Sequence, residues 1–446
     1  MGPETIRRPP ADPGAERGAP LPSRPAGVAA SVWRAVWTSR LLVWAAGIAG
    51  VLVWPALAPA DVWRKFDPDG LTTPFGSVGD LLVAPAARWD SVWYLGIAAG
   101  GYGHDPARTA FFPLYPVLVR ALGAPADALG AGVGAYLVAG VLVSLAALVA
   151  GLWAVARLAA LELGDADARL TVALVALFPT AFAFSAVYSE SLFLALSAGS
   201  LYAGRLGRWR SAGGLAALAA ATRSTGVLLV VPLALLYLYG PRADRPSPMP
   251  VASRLRPRHR LGRAAAWLAL APAGLAAYLA YVAATTGDPM APFRVGRLWY
   301  RHFAGPFGGV WDGGVAAVAG ARQLASGSRS HVYFAPAGGD PFFVAGHNLG
   351  DFAFMAFAAV AIIGALRRLP LAYGAWALCA LAVPLSYPVG PEPLASLPRY
   401  LAVVFPLHMW LAGWARRRRL AAPVLIVSAV GLAAMTAAFA AWWWVA

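Results

Sequence analysis

The chain has 446 residues, of which 59% are hydrophobic and only 13% are charged. Soluble domains carry about 25% charged residues, so this composition excludes a soluble enzyme and a disordered chain. The apolar runs are continuous instead of alternating, which excludes an outer-membrane barrel. The net charge of +16 comes from basic residues between the apolar runs, where they set topology and contact anionic lipid, so nucleic acid is not an expected partner. The composition therefore indicates a polytopic, all-α membrane protein.

Division of the chain at its charged residues predicts about 11 transmembrane helices, because a helix needs about 20 apolar residues to cross a bilayer. Seven of these runs are clear, and four shorter helices crowd into one stretch. The predicted spans are 41–58, 128–156, 169–187, 190–205, 210–223, 225–240, 264–285, 349–366, 369–389, 399–415 and 420–444. We expect one transmembrane domain over 29–446, preceded by a disordered cytoplasmic tail at 1–28.

The basic residues also predict the orientation of the chain. With a cytoplasmic N-terminus, 24 of the 36 Lys and Arg residues fall on the cytoplasmic side, including those of the basic loop 242–263. The two longest loops, 59–127 and 286–348, then lie outside, together with 13 of the 20 acidic residues. Acid–base chemistry is therefore expected on the extracytoplasmic side. The aromatic loop 286–348 is expected to form interfacial helices and an irregular lid, either to bind an acceptor or to cover the membrane surface.

The first long loop contains the aromatic run Arg88-Trp89-Asp90-Ser91-Val92-Trp93-Tyr94. Trp89 and Trp93 repeat at helical spacing, and Asp90 and Tyr94 are four residues apart and share a helix face. Since Trp and Tyr favour the membrane–water interface, the run predicts an interfacial helix that presents Asp90 at its start. An aromatic belt with Asp90 as an ordinary first-turn charge is the alternative.

Two charges are predicted to lie inside the outer leaflet. Only 14 uncharged residues separate Glu190 from Arg205, and 12 separate Arg210 from Arg223. At about 1.5 Å per residue, Glu190 and Arg223 each lie roughly 20 Å from the cytoplasmic arginines, short of the far edge of a core about 30 Å thick. Ionisable groups at this depth are costly and are candidates for a functional site. A purely structural ion pair is the alternative.

Weaker signals lie elsewhere on the same predicted side. Arg399, after Ser396-Leu397-Pro398, opens a late helix and could either reach a lipid phosphate or snorkel to the interface. Asp67-Pro68-Asp69 is typical of a turn. Asp80 is either a helix cap or a second carboxylate of the site. His104 lies closest to the aromatic run, and the six histidines lack the spacing of a zinc site, so no metal ligand is expected.

Four motifs resemble one family, in the same order along roughly residues 35–415. They are RWDSVWYLGIAAGGYG with the following FFPLYPVLVR, FPTAFAFSAVYSESLFLAL, AAATRSTGVLLV and SLPRYLAVVFPL. These runs resemble the PIG-V mannosyltransferases, the GPI mannosyltransferase 2 family and its bacterial relatives. The resemblance implies a GT-C glycosyltransferase in the cell membrane, with a polyprenyl-phosphate mannose donor and a glycolipid or glycan acceptor.

The resemblance assigns Asp90 as the catalytic carboxylate on the extracytoplasmic face. A carboxylate can take the proton of the attacking hydroxyl, and the planar fork of arginine suits the departing phosphate. The expected substrate-binding residues are Arg88, Trp89, Tyr94, Tyr102, Asp80, His104, Tyr188, Glu190, Arg223 and Arg399. The sugar, a divalent metal, the acceptor and the oligomeric state stay open, and no cofactor is firmly expected. A transporter or lipid flippase is the alternative function, but it would need polar groups throughout the bundle, usually in paired repeats.

Overall fold

The computed structural model describes residues 25–53, 66–103, 105–243, 256–329 and 340–445. This part of the chain is almost entirely helical, and an isolated bridge between Arg301 and Val389 is the sole β-type pairing found in it. Five of its helices are long and apolar enough to cross a membrane, over Gly27–Val53, Val133–Leu163, Arg263–Thr286, Pro341–Arg368 and Ala421–Ala440. The expectation of an all-α membrane protein is therefore confirmed.

Sixteen α-helices longer than one turn form the described bundle. They are α1 (Pro25–Val53), α2 (Gly76–Val83), α3 (Ser91–Gly100), α4 (Leu114–Ala126), α5 (Val133–Leu163), α6 (Asp165–Ala176), α7 (Glu190–Arg205), α8 (Trp209–Ala220), α9 (Val230–Tyr239), α10 (Leu270–Thr286), α11 (Gly308–Ser326), α12 (Pro341–Arg368), α13 (Leu371–Ser386), α14 (Leu397–Val403), α15 (Phe405–Arg417) and α16 (Ala421–Ala440).

Two of the predicted spans are broken in the structure, and both breaks involve proline. The predicted helix 169–187 ends early, because α6 stops at Ala176 and Pro179 disfavours helical backbone at the residue before it. The predicted helix 399–415 is divided into α14 and α15 at Val404, with Pro406 in the first turn of α15. The count of 11 spans therefore remains a prediction.

The ends of the predicted segments also shift. Helix α1 begins at Pro25, inside the predicted tail, and α12 begins at Pro341 instead of residue 349. Residues 1–24 of the tail and residues 244–255 of the basic loop lie outside the described residues. The described parts of the two long loops contain helices α2, α3, α4 and α11, and their position relative to a membrane remains a prediction.

The irregular segment 177–189 enters the core between α6 and α7 and is held there by α1. Arg40 of α1 is 5% exposed and donates hydrogen bonds to the carbonyl oxygens of Ala176 and Ala181 and to the hydroxyl of Ser185. Backbone carbonyls that leave a helix in an apolar core need such donors. Arg40 therefore stabilises the non-helical path that leads to Tyr188, Ser189 and the start of α7.

Helix α8 is brought close to α10 by glycine. A Cβ atom added to Gly274 of α10 would lie 1.8 Å from the carbonyl oxygen of Ala217 in α8, so the close approach requires glycine at this position. Small residues allow membrane helices to approach closely in this way. The chain after α8 then turns at Arg223, whose backbone is extended, into the short helical segment Ser224–Leu229. This turn directs the Arg223 side chain back toward the start of α7.

Candidate functional site

Two carboxylates and two guanidinium groups meet at one end of the bundle. The Nη1 atom of Arg399 lies 2.6 Å from Oδ2 of Asp90, and Nη2 of Arg223 lies 2.5 Å from Oε1 of Glu190. The Nε atom of Arg399 also lies 3.3 Å from the same Glu190 oxygen. Arg399 therefore joins the two pairs into one group, which we call the outer cluster (Asp90, Glu190, Arg223 and Arg399).

Asp90 is held at the start of α3 by the packing of Trp89, the residue before it. Trp89 adopts a left-handed backbone conformation with φ of 53°, and its ring makes edge contacts with Phe66, Trp442 and Trp444. Its indole N–H donates to the carbonyl oxygen of Trp443. A non-glycine residue in this conformation costs free energy that the surrounding contacts must offset. The packing of Trp89 therefore fixes where α3 begins and where Asp90 projects.

Tyr188 contacts two members of the outer cluster, Asp90 and Arg399, and the neighbouring residue Arg88. The Asp90 backbone N–H donates to the Tyr188 hydroxyl at 3.2 Å, and that hydroxyl donates to the Arg88 carbonyl oxygen at 3.3 Å. The centre of the Arg399 guanidinium lies 5.0 Å from the Tyr188 ring and 5.8 Å from the Tyr400 ring. Cations at this distance from aromatic rings are attracted by the ring quadrupole, which is strongest in dehydrated sites. The two tyrosines therefore stabilise the buried Arg399 charge.

Ser189 connects the second pair to α3. Its hydroxyl oxygen accepts a hydrogen bond from Tyr94 at 2.9 Å and one from Nε of Arg223 at 3.2 Å. Arg223 also lies over the rings of Phe193 and Tyr400. Tyr94 thus acts through Ser189 and positions Arg223.

Three polar atoms near the cluster have no hydrogen-bond partner among the described residues, although each is buried. They are Oε2 of Glu190, Oγ of Ser91 and Nε of Arg399, whose 3.3 Å ion-pair contact with Glu190 does not have the geometry of a hydrogen bond. A buried polar group without a partner costs about 1–3 kcal/mol, so native structures rarely leave several together. Asp90 and Arg223 are also partly open, with 23% and 18% of their side chains exposed. The outer cluster therefore has hydrogen-bonding capacity to offer a polar ligand.

Several predicted site residues have structural contacts instead. Arg88 is buried and donates to the carbonyl oxygens of Ala84, Ala87 and Ala440, so its guanidinium faces the backbone and not the cluster. Burial lowers the pKa of Arg88 to about 10, against the opposing influence of Asp67 and Asp80. Arg88 therefore ties the start of α3 to the end of α16.

The remaining candidates also lie apart from the cluster. The Tyr102 hydroxyl donates to the Phe111 carbonyl oxygen, and burial raises the pKa of this phenol well above its ordinary value. Asp80 lies inside α2 and not at its N-cap, and its carboxylate accepts the backbone N–H of Phe75, the residue before that helix. Asp67 forms the expected turn by accepting the backbone N–H groups of Leu71 and Thr72. His104 lies outside the described residues.

Sequence reasoning missed two residues beside the cluster, Tyr400 and Arg301. The hydroxyl of Tyr400 accepts a hydrogen bond from Arg301 at 3.3 Å. The position of Tyr400 directly after Arg399 could have identified it from the sequence. No sequence feature pointed to Arg301, because its loop meets the cluster only in the folded chain. Within the described ranges, no three His, Cys, Asp or Glu side chains are grouped so that they could hold a metal ion.

Residues 51–238 match the family model described as Mannosyltransferase (PIG-V). The matched segment includes Asp90, Glu190 and Arg223, and Arg399 lies outside it. The match confirms the family resemblance predicted from the motifs. No curated protein matches the chain.

Solved structures similar to this chain include two of an oligosaccharyltransferase from Archaeoglobus fulgidus. The first, AglB in complex with an inhibitory peptide and a dolichol-phosphate, is 14% identical with a TM-score of 0.40, and the match covers 80% of this chain and 52% of that one. The second, tethered to an acceptor peptide containing the NVT sequon, is 13% identical with a TM-score of 0.41, covering 91% and 55%. The present chain spans about half the length of these proteins.

Proposed function

We propose, from the match of residues 51–238 to the Mannosyltransferase (PIG-V) family, that this membrane protein is a glycosyltransferase of the GT-C type. It transfers mannose, or a related sugar, from a polyprenyl-phosphate donor to a hydroxyl of a glycolipid or glycan. The observation that carries the proposal is the 2.6 Å contact between Asp90 and Arg399, which are 309 residues apart in the chain. This contact joins a carboxylate in the first loop to the arginine of the last family motif.

The arginines supply the donor site in this proposal. A phosphate offers several acceptor oxygens, and a guanidinium can bind two of them at once in a planar fork. Arg399 is 7% exposed and has an Nε atom without a hydrogen-bond partner in the described part of the chain. Arg223 is 18% exposed, and its guanidinium centre lies 5.6 Å from the Tyr400 ring centroid, close to the 5.8 Å of Arg399. Together they would hold the phosphate and stabilise the charge that it gains as the sugar leaves.

Asp90 is the proposed general base. Its Oδ2 atom binds Arg399, while its Oδ1 atom makes no hydrogen bond to the described residues and is free to accept one from the acceptor hydroxyl. The hydroxyl oxygen attacks the anomeric carbon and a new C–O bond forms as its proton passes to Asp90. The bond from the anomeric carbon to the phosphate oxygen breaks, and its electron pair stays with the phosphate. A single displacement inverts the sugar, so a β-linked donor gives an α-linked product.

The decisive experiment replaces Asp90 by Asn, which is nearly isosteric but cannot take the proton. Loss of a general base costs about 10²–10⁴-fold in rate, so we expect kcat to fall by that order while expression and donor binding persist. Asp69→Asn in the same loop is the matched control, because Asp69 is exposed and contacts nothing in the cluster. Transfer is measured with radiolabelled polyprenyl-phosphate mannose in membranes, and the anomer of the product is read by NMR. Near-normal transfer by Asp90→Asn would refute the assignment.

The proposal also requires the outer cluster to face away from the cytoplasm, with the N-terminus inside. The arginine-rich loops support this orientation. Single cysteines at Ser77 and Ser328, in a Cys379→Ala background that removes the chain's one cysteine, should react with an impermeant maleimide in intact cells. Labelling only after permeabilisation would reverse the orientation and remove the site from the extracytoplasmic face.

A further inference from the structure

A third arginine reaches the outer cluster from a different part of the chain. Arg301 follows the short helical segment Val295–Trp299, and its Nη1 atom donates to the carbonyl oxygen of Tyr387 at 3.0 Å. Its Nη2 atom donates to the hydroxyl of Tyr400 at 3.3 Å. The backbone of Arg301 also pairs with Val389, and His302 N–H donates to the Pro388 carbonyl oxygen. Arg301 is therefore held against the segment that leads into α14.

The same loop contacts the helix that begins after Asp90. Trp299 packs its ring against those of Trp93 and Phe111, with centroids 6.0 Å and 6.1 Å away. The loop thus lies between α3 and α14, which carry the two residues of the 2.6 Å contact. This placement brings Arg301 into contact with Tyr400, the residue that follows Arg399 of the cluster.

Three guanidinium groups from separate segments surround the Tyr400 phenol. The centres of the Arg223 and Arg399 groups lie 5.6 Å and 5.8 Å from its ring centroid, and Arg301 donates to its hydroxyl oxygen. Like charges repel, so convergence of three cations on one partly buried ring is unfavourable without nearby negative charge. Asp90 and Glu190 offset the charges of Arg399 and Arg223, so Arg301 is the cation of the three that no carboxylate of the cluster offsets.

The charges of the cluster show which arginine is in excess. Asp90 and Glu190 contact Arg399 and Arg223, so these four groups sum to zero. In the described part of the chain Arg301 contacts a carbonyl oxygen and a phenol, with no carboxylate among its ion-pair partners. The outer cluster and Arg301 together therefore carry one net positive charge, which comes from Arg301.

We propose that Arg301 binds the phosphate of the lipid donor and supplies the net charge that matches it. This inference rests on the proposed function. A sugar linked through a phosphodiester carries one negative charge, which equals the excess of the site. After transfer, Asp90 holds the acceptor proton and is neutral, so the site carries two net positive charges. The phosphate that is released is a monoester, and at a pH near 7 phosphate monoesters carry a charge of about −1.5 to −2. Arg301 thus keeps the charges of site and ligand balanced on both sides of the reaction.

The test compares a short-chain polyprenyl phosphate with the corresponding polyprenol as inhibitors of transfer. In the unmodified protein we expect the phosphate to bind at least tenfold more tightly than the alcohol. Arg301→Gln should reduce that preference roughly 10- to 100-fold, since charge-assisted hydrogen bonds to a phosphate are about twice as strong as neutral ones. Arg301→Lys, which retains the charge but not the fork, should lie in between. Arg297→Gln is the matched control, because Arg297 is exposed in the same loop and its side chain makes no contact with the cluster.

A second variant covers the case in which Arg301→Gln does not fold. Tyr400→Phe removes the hydroxyl that Arg301 binds and leaves the guanidinium available, so phosphate affinity should be unchanged or higher. A tenfold loss of phosphate affinity in Tyr400→Phe would overturn the inference, as would an undiminished preference for phosphate in Arg301→Gln. If the unmodified protein itself binds phosphate and alcohol equally, the proposed lipid-phosphate donor is wrong, and the failure lies with the proposed function.

Discussion

The two ends of α7 carry the same kinds of residue and bury them in different ways. Glu190 is the first residue of this helix and pairs with Arg223, whereas Arg205 is the last and pairs with Glu162. At about 1.5 Å per residue the two ends are roughly 22 Å apart. Each end of α7 therefore contributes one member of a buried carboxylate–guanidinium pair. The other contacts of each pair distinguish a structural role from a functional one.

At the Arg205 end, the polar atoms are satisfied by the protein. Arg205 donates to Glu162 at 2.7 Å and to the carbonyl oxygen of Ala243, and Tyr373 donates to the same Glu162 oxygen at 3.1 Å. The two charged side chains are 0% and 5% exposed. A buried ion pair offsets its desolvation only when such additional hydrogen bonds are present. This end therefore joins α5, α7 and α13, and among the described residues no buried side-chain atom of Glu162, Arg205 or Tyr373 lacks a hydrogen-bond partner.

At the Glu190 end, some buried polar atoms have no hydrogen-bond partner among the described residues. Oε2 of Glu190 and Nε of Arg399 have no hydrogen-bond partner in the described residues, and Arg223 is partly exposed. The difference teaches that charge and burial do not by themselves identify a site. The two ends differ in whether each buried donor and acceptor of the ion pair has a hydrogen-bond partner. Only the Glu190 end, where some do not, lies beside Asp90 and Arg399.

The largest effect on stability is expected at the satisfied end. Glu162→Gln removes one charge of the pair and leaves the Arg205 charge buried without compensation. Breaking a buried pair in this way costs about 3–5 kcal/mol. We therefore expect a marked fall in the thermal midpoint in detergent, while the protein that remains folded keeps the donor Michaelis constant of the unmodified enzyme. A change in that constant without loss of stability would show that the Arg205 end belongs to the site.

The sequence predicted that Glu190 and Arg223 lie at the same depth, but it did not predict the distances within the outer cluster. Helix lengths placed Glu190 and Arg223 at one depth, and the structure brings them into contact because both flank short helices of similar length. Chain order put Asp90 and Arg399 on one side of the membrane, but a separation of 309 residues gave no distance. The long apolar span predicted at 128–156 corresponds to α5, since an uncharged run of that length has few alternatives.

The details that the sequence did not reveal depend on contacts between distant segments. Arg88 donates to the carbonyl oxygen of Ala440 in α16, 352 residues away, and its place in the aromatic motif did not reveal this contact. Arg301 reaches Tyr400 because backbone hydrogen bonds join its loop to residues 386–390. The break of the predicted helix 169–187 was visible in Pro179, but the donor that satisfies the freed carbonyl groups, Arg40, was not.

Glu190→Gln, at the other end of α7, should lower stability less than Glu162→Gln does and lower activity more. Glu190→Gln leaves Arg399 its contact with Asp90 and leaves Arg223 partly hydrated, so the cost in stability should be about 1 kcal/mol. The loss of the anchor that both arginines share should lower transfer roughly 10- to 100-fold, in line with the 1.5–3 kcal/mol of hydrogen bonds to charged groups. Thermal midpoints and transfer rates measured beside those of Glu162→Gln should show opposite profiles. Equal profiles for the two variants would remove the distinction between the ends of α7.

The smallest and most selective comparison uses one tyrosine at each end. Tyr373→Phe removes a donor to Glu162, and Tyr94→Phe removes the donor to the Ser189 hydroxyl that also accepts from Arg223. Each change deletes one hydrogen bond and keeps the ring, so each should lower stability by about 1 kcal/mol. Only Tyr94→Phe should affect the enzyme, because the freed Ser189 hydroxyl can rotate and no longer fixes Arg223. We expect its donor Michaelis constant to rise about three- to tenfold with little change in kcat, which corresponds to one neutral hydrogen bond. A rise of the same size in Tyr373→Phe would mean that the satisfied end is coupled to donor binding through α7.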